Sequence, residues 1–502
     1  MILVVALCLL AFSLLCLLYP RWHARQYGAD AWYFLAAAEE MRRRPRWELV
    51  LPYFMLDIPQ QWYPPGFTAL LALFSAQGLR RWFWLINPVL DSLHLALLLG
   101  VEAMLLADWR FLLLAGLLYR LSPTLIDQYS NLNSRGIGSI LFSGLMLGLA
   151  AAALGRPWGY AVAVVMVAAL CLTHKLTLQA FFGVALLGTL VHPSILWLPV
   201  LLAGVALAWM VSGGFYWKVL KGHWDILRFW RRNLHRLGAH QVFHSPLPEY
   251  ARDGCDAGLS YPPGLAGWTK LVRFFIGNSW LLLALPLLFL FPSPRPIFQF
   301  LSFWAWSVYL VGFVVTFAPP LRFLGEGYKY LKLAYFPMAL CLAEIALRPG
   351  LPWWTDGWIL AVLLLNLRSC WRLTRAIRNE KLMEVGRQFG HIFDYLKGQG
   401  DVGVLCLPVH SADAVAYHTG KRVFWGAHSA GFEKIEPFFP VLKMRVEEYF
   451  RQYPLDYLLL LTDYAPPEHL GLSPDEFVPV LEQPPYVLYH YRRRGDGKAR
   501  TR

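Results

Sequence analysis

Asp30 is the first residue in the chain whose type and position could do chemistry. It follows an apolar run, 2–19, and a short basic stretch, within Tyr27-Gly28-Ala29-Asp30-Ala31-Trp32-Tyr33. A carboxylate at the lip of a bilayer costs free energy unless it is paired or used. In use, it can withdraw a proton from a hydroxyl that reaches the membrane surface. Asp is also an ordinary cap for a helix beginning at Ala31, and one residue can do both jobs.

Other polar and cationic groups recur where apolar runs end. They are Asn131-Leu132-Asn133-Ser134-Arg135-Gly136, His174-Lys175, and Arg322-Phe323-Leu324-Gly325-Glu326-Gly327-Tyr328-Lys329-Tyr330-Leu331-Lys332. Each has a plain alternative role. Arg135 can neutralise Asp127, and Lys175 can snorkel to lipid headgroups. Arg42-Arg43-Arg44 reads as a headgroup-binding face. Asp91 and His94, one turn apart inside an apolar run, read equally as a functional pair or a satisfied structural one.

The elements that must position these groups are membrane helices. Of 502 residues, 57% are hydrophobic and only 16% charged, and the mean hydropathy is +0.42. A soluble domain carries about a quarter charged residues, so the composition is that of a polytopic membrane protein. The net charge of +14 points to anionic headgroups or a phosphorylated substrate. No nucleic-acid-binding motif accompanies it, so nucleic acid is not an expected partner. Seven cysteines, Cys8, Cys16, Cys171, Cys255, Cys341, Cys370 and Cys406, are odd in number and show no CxxC spacing. They predict neither a disulfide framework nor a zinc site, and Cys255 reads as a free thiol.

Apolar windows of crossing length fall near 2–19, 82–106, 110–126, 137–154, 158–172, 176–190, 194–212, 279–291, 297–317, 331–347 and 358–367. They predict about eleven spans. The first lacks a basic leader and a small-residue cleavage signal and reads as a retained span. The connections alternate between minimal turns, most with a single Arg, and long or unusual segments. The short side fits the cytoplasm. The long side, with Asp30, 129–135, 173–175, 213–278, 319–332 and all that follows 367, is then external. The N-terminus is expected to be cytoplasmic and the C-terminal region outside.

After 370 the composition changes. Residues 371–400 read as a basic amphipathic connector and 401–491 as a small α/β domain, with strands near 402–408, 422–425 and 457–462 and a hairpin over 477–491. Helices are expected at 411–419 and 441–452, and 492–502 as a disordered basic tail. Tyr63-Pro64-Pro65-Gly66 and Tyr261-Pro262-Pro263-Gly264 are identical tetrapeptides before apolar helical patterns. Proline is pre-organised for a first helical turn, and helix initiation is the simplest reading of both.

In their order along the chain, these motifs resemble the GT-C superfamily of polyprenyl-phosphate-sugar-dependent glycosyltransferases, which includes aminoarabinose transferases and protein O-mannosyltransferases. The matching positions are Asp30, Tyr63-Pro64-Pro65, and Arg322 with Tyr328-Lys329-Tyr330; the likeness covers nearly all of the span region. It implies a mainly α, polytopic fold over 1–370, with interfacial helices in the first external loop and a small external domain after it. It implies a bacterial plasma-membrane enzyme that moves a sugar from a polyprenyl phosphate to a hydroxyl on a lipid, glycan or protein. Asp30 is then the general base of an inverting attack, for which one carboxylate suffices. Lys175, Arg322, Lys329, His174 and Arg135 are candidates to hold the donor phosphate. Tyr33, Tyr63, Pro64, Pro65, Glu326, Tyr328 and Tyr330 are candidates to line the cavity. Asp413, Tyr417, His418, Gly420 and Lys421 of the outer domain are expected to cover the cavity or select the acceptor.

Two departures from the family pattern stand out. Many GT-C enzymes carry a second acid in the second external loop, where this chain has Asn131-Leu132-Asn133-Ser134-Arg135; no metal or other cofactor is therefore expected. Ala31 follows Asp30 where an acid often stands. A transporter or lipid flippase is the competing reading, motivated by Asp91, His94 and Asp127, although the internal repeat typical of transporters is missing. A third reading is a membrane-anchored assembly protein whose outer domain binds a partner.

Overall fold

The computed structural model describes the chain except for residues 24, 26–27, 29, 57–60, 235–278, 326, 380–388, 427, 429–430, 438, 440–443 and 494–502, and the side chains of Arg322, His410 and His469. Cys255, the second Tyr-Pro-Pro-Gly, Glu326, the Arg322 side chain, part of the connector and nearly all of the basic tail therefore lie outside the described residues.

Helix α1, Ile2–Leu18, buries only Leu9, Ser13 and Leu17 against the rest of the molecule, as expected of a peripheral helix in lipid. After it come α2 (Asp30–Arg43), α3 (Gly66–Ala72), α4 (Ala76–Leu105), α5 (Trp109–Arg120), α6 (Pro123–Tyr129), α7 (Arg135–Ala153), α8 (Trp158–Cys171), α9 (Lys175–Val191), α10 (Trp197–Val211) and α11 (Phe215–Arg232). Among the described residues, five helical stretches are long and apolar enough to cross a membrane: Ile2–Arg21, Ala76–Leu105, Arg135–Ala153, Pro296–Phe317 and Gly327–Leu347. A sixth arises if α10 and α11, bent by 119° at their junction, are one broken span. The chain is a multi-pass membrane protein.

The window count of about eleven is not reached by length. At about 1.5 Å per residue, the 14 residues of α8 and the 17 of α9 fall short of a hydrocarbon core of about 30 Å. The expected 110–126 span is two helices, α5 and α6, parted at Ser122 with Pro123 opening the second. The 331–347 window starts as a 3₁₀ segment, Gly327–Ala334, before its α-helix.

Small residues bring the helices together. A Cβ on Gly148 of α7 would collide with the Gly159 carbonyl of α8, and one on Gly159 with the carbonyl of Gly148. That close approach is how membrane helices gain packing without a hydrophobic drive. Asp91 and His94 belong to a buried hydrogen-bonded network. Arg120 pairs with Asp91 at 2.5 Å, both side chains fully buried. Tyr119 donates to Asp91 at 2.8 Å and lies 2.8 Å from His94 Nδ1, while His94 Nε2 lies 2.8 Å from the Ser143 hydroxyl. The cluster ties α4, α5 and α7 together, a structural role for this pair.

The C-terminal region holds one five-stranded sheet, ordered β2-β1-β3-β5-β4, with β1 Gly403–Leu407, β2 Arg422–Val423, β3 Tyr457–Leu461, β4 Phe477–Gln483 and β5 Tyr486–Tyr491. β1 pairs in parallel with β2 and β3, and β5 runs antiparallel to β3 and β4. Helix Ala412–Thr419 makes the crossover from β1 to β2. The central strands β1 and β3 are buried throughout, which is why both read as unbroken apolar runs. The expected 441–452 helix is shorter, Val446–Gln452.

The sheet is not a separate appendage. Residues of the first loop extend it past β2: Val423 N–H donates to Tyr53 O at 2.7 Å, and the Met55 and Leu56 amides donate to Val423 O and Phe424 O. Helix α2 packs on Ala412–Thr419, with Trp32 4.5 Å from the His418 ring and 5.7 Å from Tyr417 between ring centres. Trp32, Phe34 and Phe54 thus share one core with Leu405, Val415 and Leu458.

Candidate active site

Asp30 opens α2 with its carboxylate one-third exposed. Arg135, first residue of α7, places Nη2 3.6 Å from Asp30 Oδ2. The turn before α7 is built by Asn133, whose Oδ1 accepts from the Arg135 amide at 2.9 Å and whose Nδ2 donates to Gln128 O at 2.6 Å. Arg135, for which Asp127 was an alternative partner on sequence grounds, makes an ion pair with Asp30.

Tyr63 is beside them. Its phenol is pushed up to about 12, by burial first and then by the Asp30 charge, with a Ser134 hydrogen bond and Arg135 opposing. It therefore stays a hydroxyl, able to donate, across the physiological range. Lys175 holds Nζ 5.3 Å from the centre of the Tyr63 ring, a cation–π distance. The motif containing Tyr63 needs its glycine. Gly66 N–H donates to Leu172 O at 2.5 Å, and a Cβ there would strike Leu172 O and the Thr173 hydroxyl. Tyr63-Pro64-Pro65-Gly66 is in this way pinned against the turn that carries His174 and Lys175.

A small cationic cavity lies alongside, lined by Arg135, His174, Lys329, Lys332, Thr177 and Tyr330 among others. His174 caps α9, accepting from the Thr177 amide at 3.3 Å. Burial, and then Lys332, Arg135, Lys175 and Lys329, hold its imidazole well below the usual range, so it remains neutral. Lys332 donates to Gln128 Oε1 at 2.8 Å. It was missed as a site residue although it stands three positions after Lys329, the spacing of one 3₁₀ turn.

A much larger cavity, about 1260 Å³, opens between α9, α10, α11 and the Pro296–Phe317 helix. Its walls are almost wholly apolar, among them Phe182, Leu186, Val205, Leu220 and Val311. Tyr330 lines both this cavity and the cationic one. Trp62 and His223 line both it and a third, small cavity with Tyr63, Pro64, Lys175 and His428. A long apolar space thus abuts the cations on two sides.

Not every expected residue meets here. Tyr328 packs against the apolar core of the helix bundle. Arg322 is described only as part of the 3₁₀ segment Pro319–Leu324. Of the C-terminal candidates, Tyr417 donates to Glu39 Oε1 at 3.3 Å and His418 packs on Trp32. Gly420 closes its helix in the left-handed conformation, and Lys421 donates to the carbonyls of Gln399 and Gly400; both serve the local fold. Asp413 and His428 do reach the site. His428 lies with Nε2 3.9 Å from Asp30 Oδ1 and Nδ1 3.8 Å from Asp413 Oδ2. Its ring stacks on Tyr33 at 4.4 Å and stands edge-on to Tyr63 at 4.8 Å. No sequence signal singled out His428.

Among the described residues, no three of His, Cys, Asp and Glu gather as a metal-binding group.

The fold is similar to those of solved oligosaccharyltransferase and ArnT structures, as expected from the resemblance carried by the motifs. It is similar to ArnT from Cupriavidus metallidurans bound to undecaprenyl phosphate, with TM-score 0.55 and 13% identity over 97% of each chain. It is similar to the oligosaccharyltransferase of Archaeoglobus fulgidus in the apo form, with TM-score 0.52 and 14% identity over 90% of this chain and 69% of that one. It is likewise similar to archaeal oligosaccharyltransferase AglB from Archaeoglobus fulgidus in complex with an inhibitory peptide and a dolichol-phosphate, with TM-score 0.52 and 13% identity over 91% and 69%. No family model matches the chain, and no curated protein matches it in sequence.

Proposed function

We propose that the chain is a membrane glycosyltransferase that moves a sugar from a polyprenyl phosphate to an acceptor hydroxyl, with Asp30 as general base. One observation carries this reading: the Asp30 carboxylate, a cluster of cations and a large apolar cavity meet at one end of the helix bundle. The acceptor oxygen attacks the anomeric carbon as Asp30 takes its proton, a contribution typically of about 10²–10⁴ in rate. The phosphate leaves toward Arg135, Lys329 and Lys332, with Lys175 and Arg322 as further candidates, since preorganised cations stabilise the charge that develops there. The isoprenoid chain occupies the apolar cavity, where its burial from water favours binding. Attack opposite the leaving group inverts the anomeric centre. Arg135 stands against Asp30 where a metal site would need a second acid, which supports a metal-independent reaction.

We read the shorter apolar helices as further spans, residues 1–370 as the membrane unit and 401–491 as the outer unit, with the N-terminus cytoplasmic and the active site external. The test uses full-length protein in nanodiscs with a panel of radiolabelled undecaprenyl-phosphate-linked hexoses and pentoses, read as release of undecaprenyl phosphate. Wild type releases it from at least one donor, and Asp30→Asn slows release by about 10² or more. Equal rates for the two proteins would remove Asp30 from the chemistry.

A further inference from the structure

His428 stands between two carboxylates on different parts of the chain. Asp413, on the helix Ala412–Thr419, has its side chain fully buried, whereas that of Asp30 is one-third exposed. The imidazole itself is 9% exposed, and its Nδ1 has no hydrogen-bond partner among the described residues. Stacking on Tyr33 at 11° between ring planes, with Phe34 and Tyr63 edge-on, leaves the ring little freedom to turn. The approach depends on Gly426, where a Cβ would strike Phe54 and Asp413 Oδ1. A histidine used only for packing has no need of a carboxylate at each nitrogen.

We propose that His428, oriented by Asp413, takes the acceptor proton on from Asp30, so that the C-terminal sheet supplies part of the reaction centre. This rests on Asp30 being the base. The acceptor oxygen forms its bond to the anomeric carbon while the carbon–oxygen bond to the lipid phosphate breaks, its electron pair leaving on that phosphate. The acceptor proton passes to Asp30 and from there to His428 Nε2. The Nδ1–H faces Asp413, whose negative charge balances the imidazolium until the proton passes to water. A buried carboxylate behind an imidazole holds its tautomer and stabilises its charged form. Both separations, 3.9 and 3.8 Å, exceed the roughly 2.6–3.2 Å of a working hydrogen bond, as is common before substrate tightens a site. The titratable and charged groups that face the ring are Asp30 and Tyr33 from α2, Tyr63 from the first loop, Asp413, and Lys175 and His223 across the small cavity.

The test uses full-length protein in nanodiscs and the same undecaprenyl-phosphate sugars. His428→Asn is expected to lower kcat by about 10–10², leave KM for the lipid donor within about twofold, and flatten the acid limb of the kcat profile. Asp413→Asn is expected to shift that limb with a loss of about tenfold. An unchanged kcat, or a loss confined to KM, overturns the proposal. NMR of histidine labelled at Cε1 separates failure of this step from failure of the base. If wild type releases phosphate from no donor, the reading of Asp30 falls. The His428–carboxylate relationship then stands only if the resonance absent from His428→Asn titrates differently in both Asp413→Asn and Asp30→Asn; an unmoved titration overturns it as well.

Discussion

Arg135 Nη2 lies 3.6 Å from Asp30 Oδ2, and the same guanidinium lines the cavity shared by Lys329, Lys332 and His174. One side chain thus joins Asp30 to the cationic pocket. With both groups about a third exposed, the pair adds little to folding stability, so its value lies in geometry. A planar fork can face a carboxylate on one edge and a phosphate on another, which a lysine ammonium cannot reproduce. Arg135→Lys is expected to weaken binding of undecaprenyl phosphate by about tenfold and Arg135→Gln by up to about a hundredfold, the worth of one to two charged hydrogen bonds. Isothermal titration in detergent checks this, with thermal unfolding unchanged.

The apolar cavity makes a separate prediction about chain length. Leu220 stands on α11 and faces the 1260 Å³ space. Leu220→Trp would fill part of it without touching Arg135 or Lys329. Full-length undecaprenyl phosphate should then bind at least about tenfold more weakly, since each methylene denied burial forfeits about 0.8 kcal/mol. A ten-carbon prenyl phosphate should bind as it does to wild type. Equal losses for both lengths would place the chain elsewhere.

The buried ion pair of the bundle should behave differently. Asp91 and Arg120 are both removed from solvent, and Asp91→Ala leaves an uncompensated guanidinium among apolar helices. Breaking a buried pair from one side typically costs about 3–5 kcal/mol. Asp91→Ala is expected to lower the thermal midpoint sharply, and Tyr119→Phe, which removes one hydrogen bond, by much less. Scanning calorimetry or fluorescence-detected unfolding of both variants checks the order. The folded fraction of Asp91→Ala that survives should retain lipid-phosphate binding, because none of Asp91, His94, Tyr119 or Arg120 lines the cationic cavity.

The site was legible in the sequence wherever its residues begin or end an apolar run. Asp30, Arg135 and His174-Lys175 each stand where helices start, and Tyr63-Pro64-Pro65-Gly66 announces itself by its prolines. Hydropathy windows could not see the break at Ser122-Pro123 or the 3₁₀ start at Gly327, because a mean over about twenty residues averages out a local change of backbone geometry. His428 was hidden for another reason. It lies in a turn after β2, about four hundred residues beyond Asp30, and only the docking of α2 on Ala412–Thr419 brings the two together. The strand-like contribution of Tyr53–Leu56 was hidden likewise, since its partner, β2, belongs to the far end of the chain.

That docking interface should weaken in acid. His418 packs against Trp32 of α2 at 4.5 Å and stacks on Phe393 at 5.0 Å, and its buried Nε2 has no hydrogen-bond partner among the described residues. Burial, then Lys397 and Arg80, lower its pKa from the usual 6.5 to about 4. Between pH 4 and 6.5 the unfolded chain therefore binds a proton that the folded one refuses. Stability rises with pH in a window where the unfolded state holds more protons. The contribution from His418 is thus fully present above pH 6.5 and is lost as the pH falls toward 4. His418→Phe keeps an aromatic ring between Trp32 and Phe393 and removes the titration. It is expected to reduce the slope of thermal midpoint against pH across that window while leaving the midpoint at pH 7.5 nearly unchanged. Hydrogen exchange should locate the acid-labile amides of wild type in α2 and in Ala412–Thr419. A slope as steep in His418→Phe as in wild type would assign the acid sensitivity to other groups.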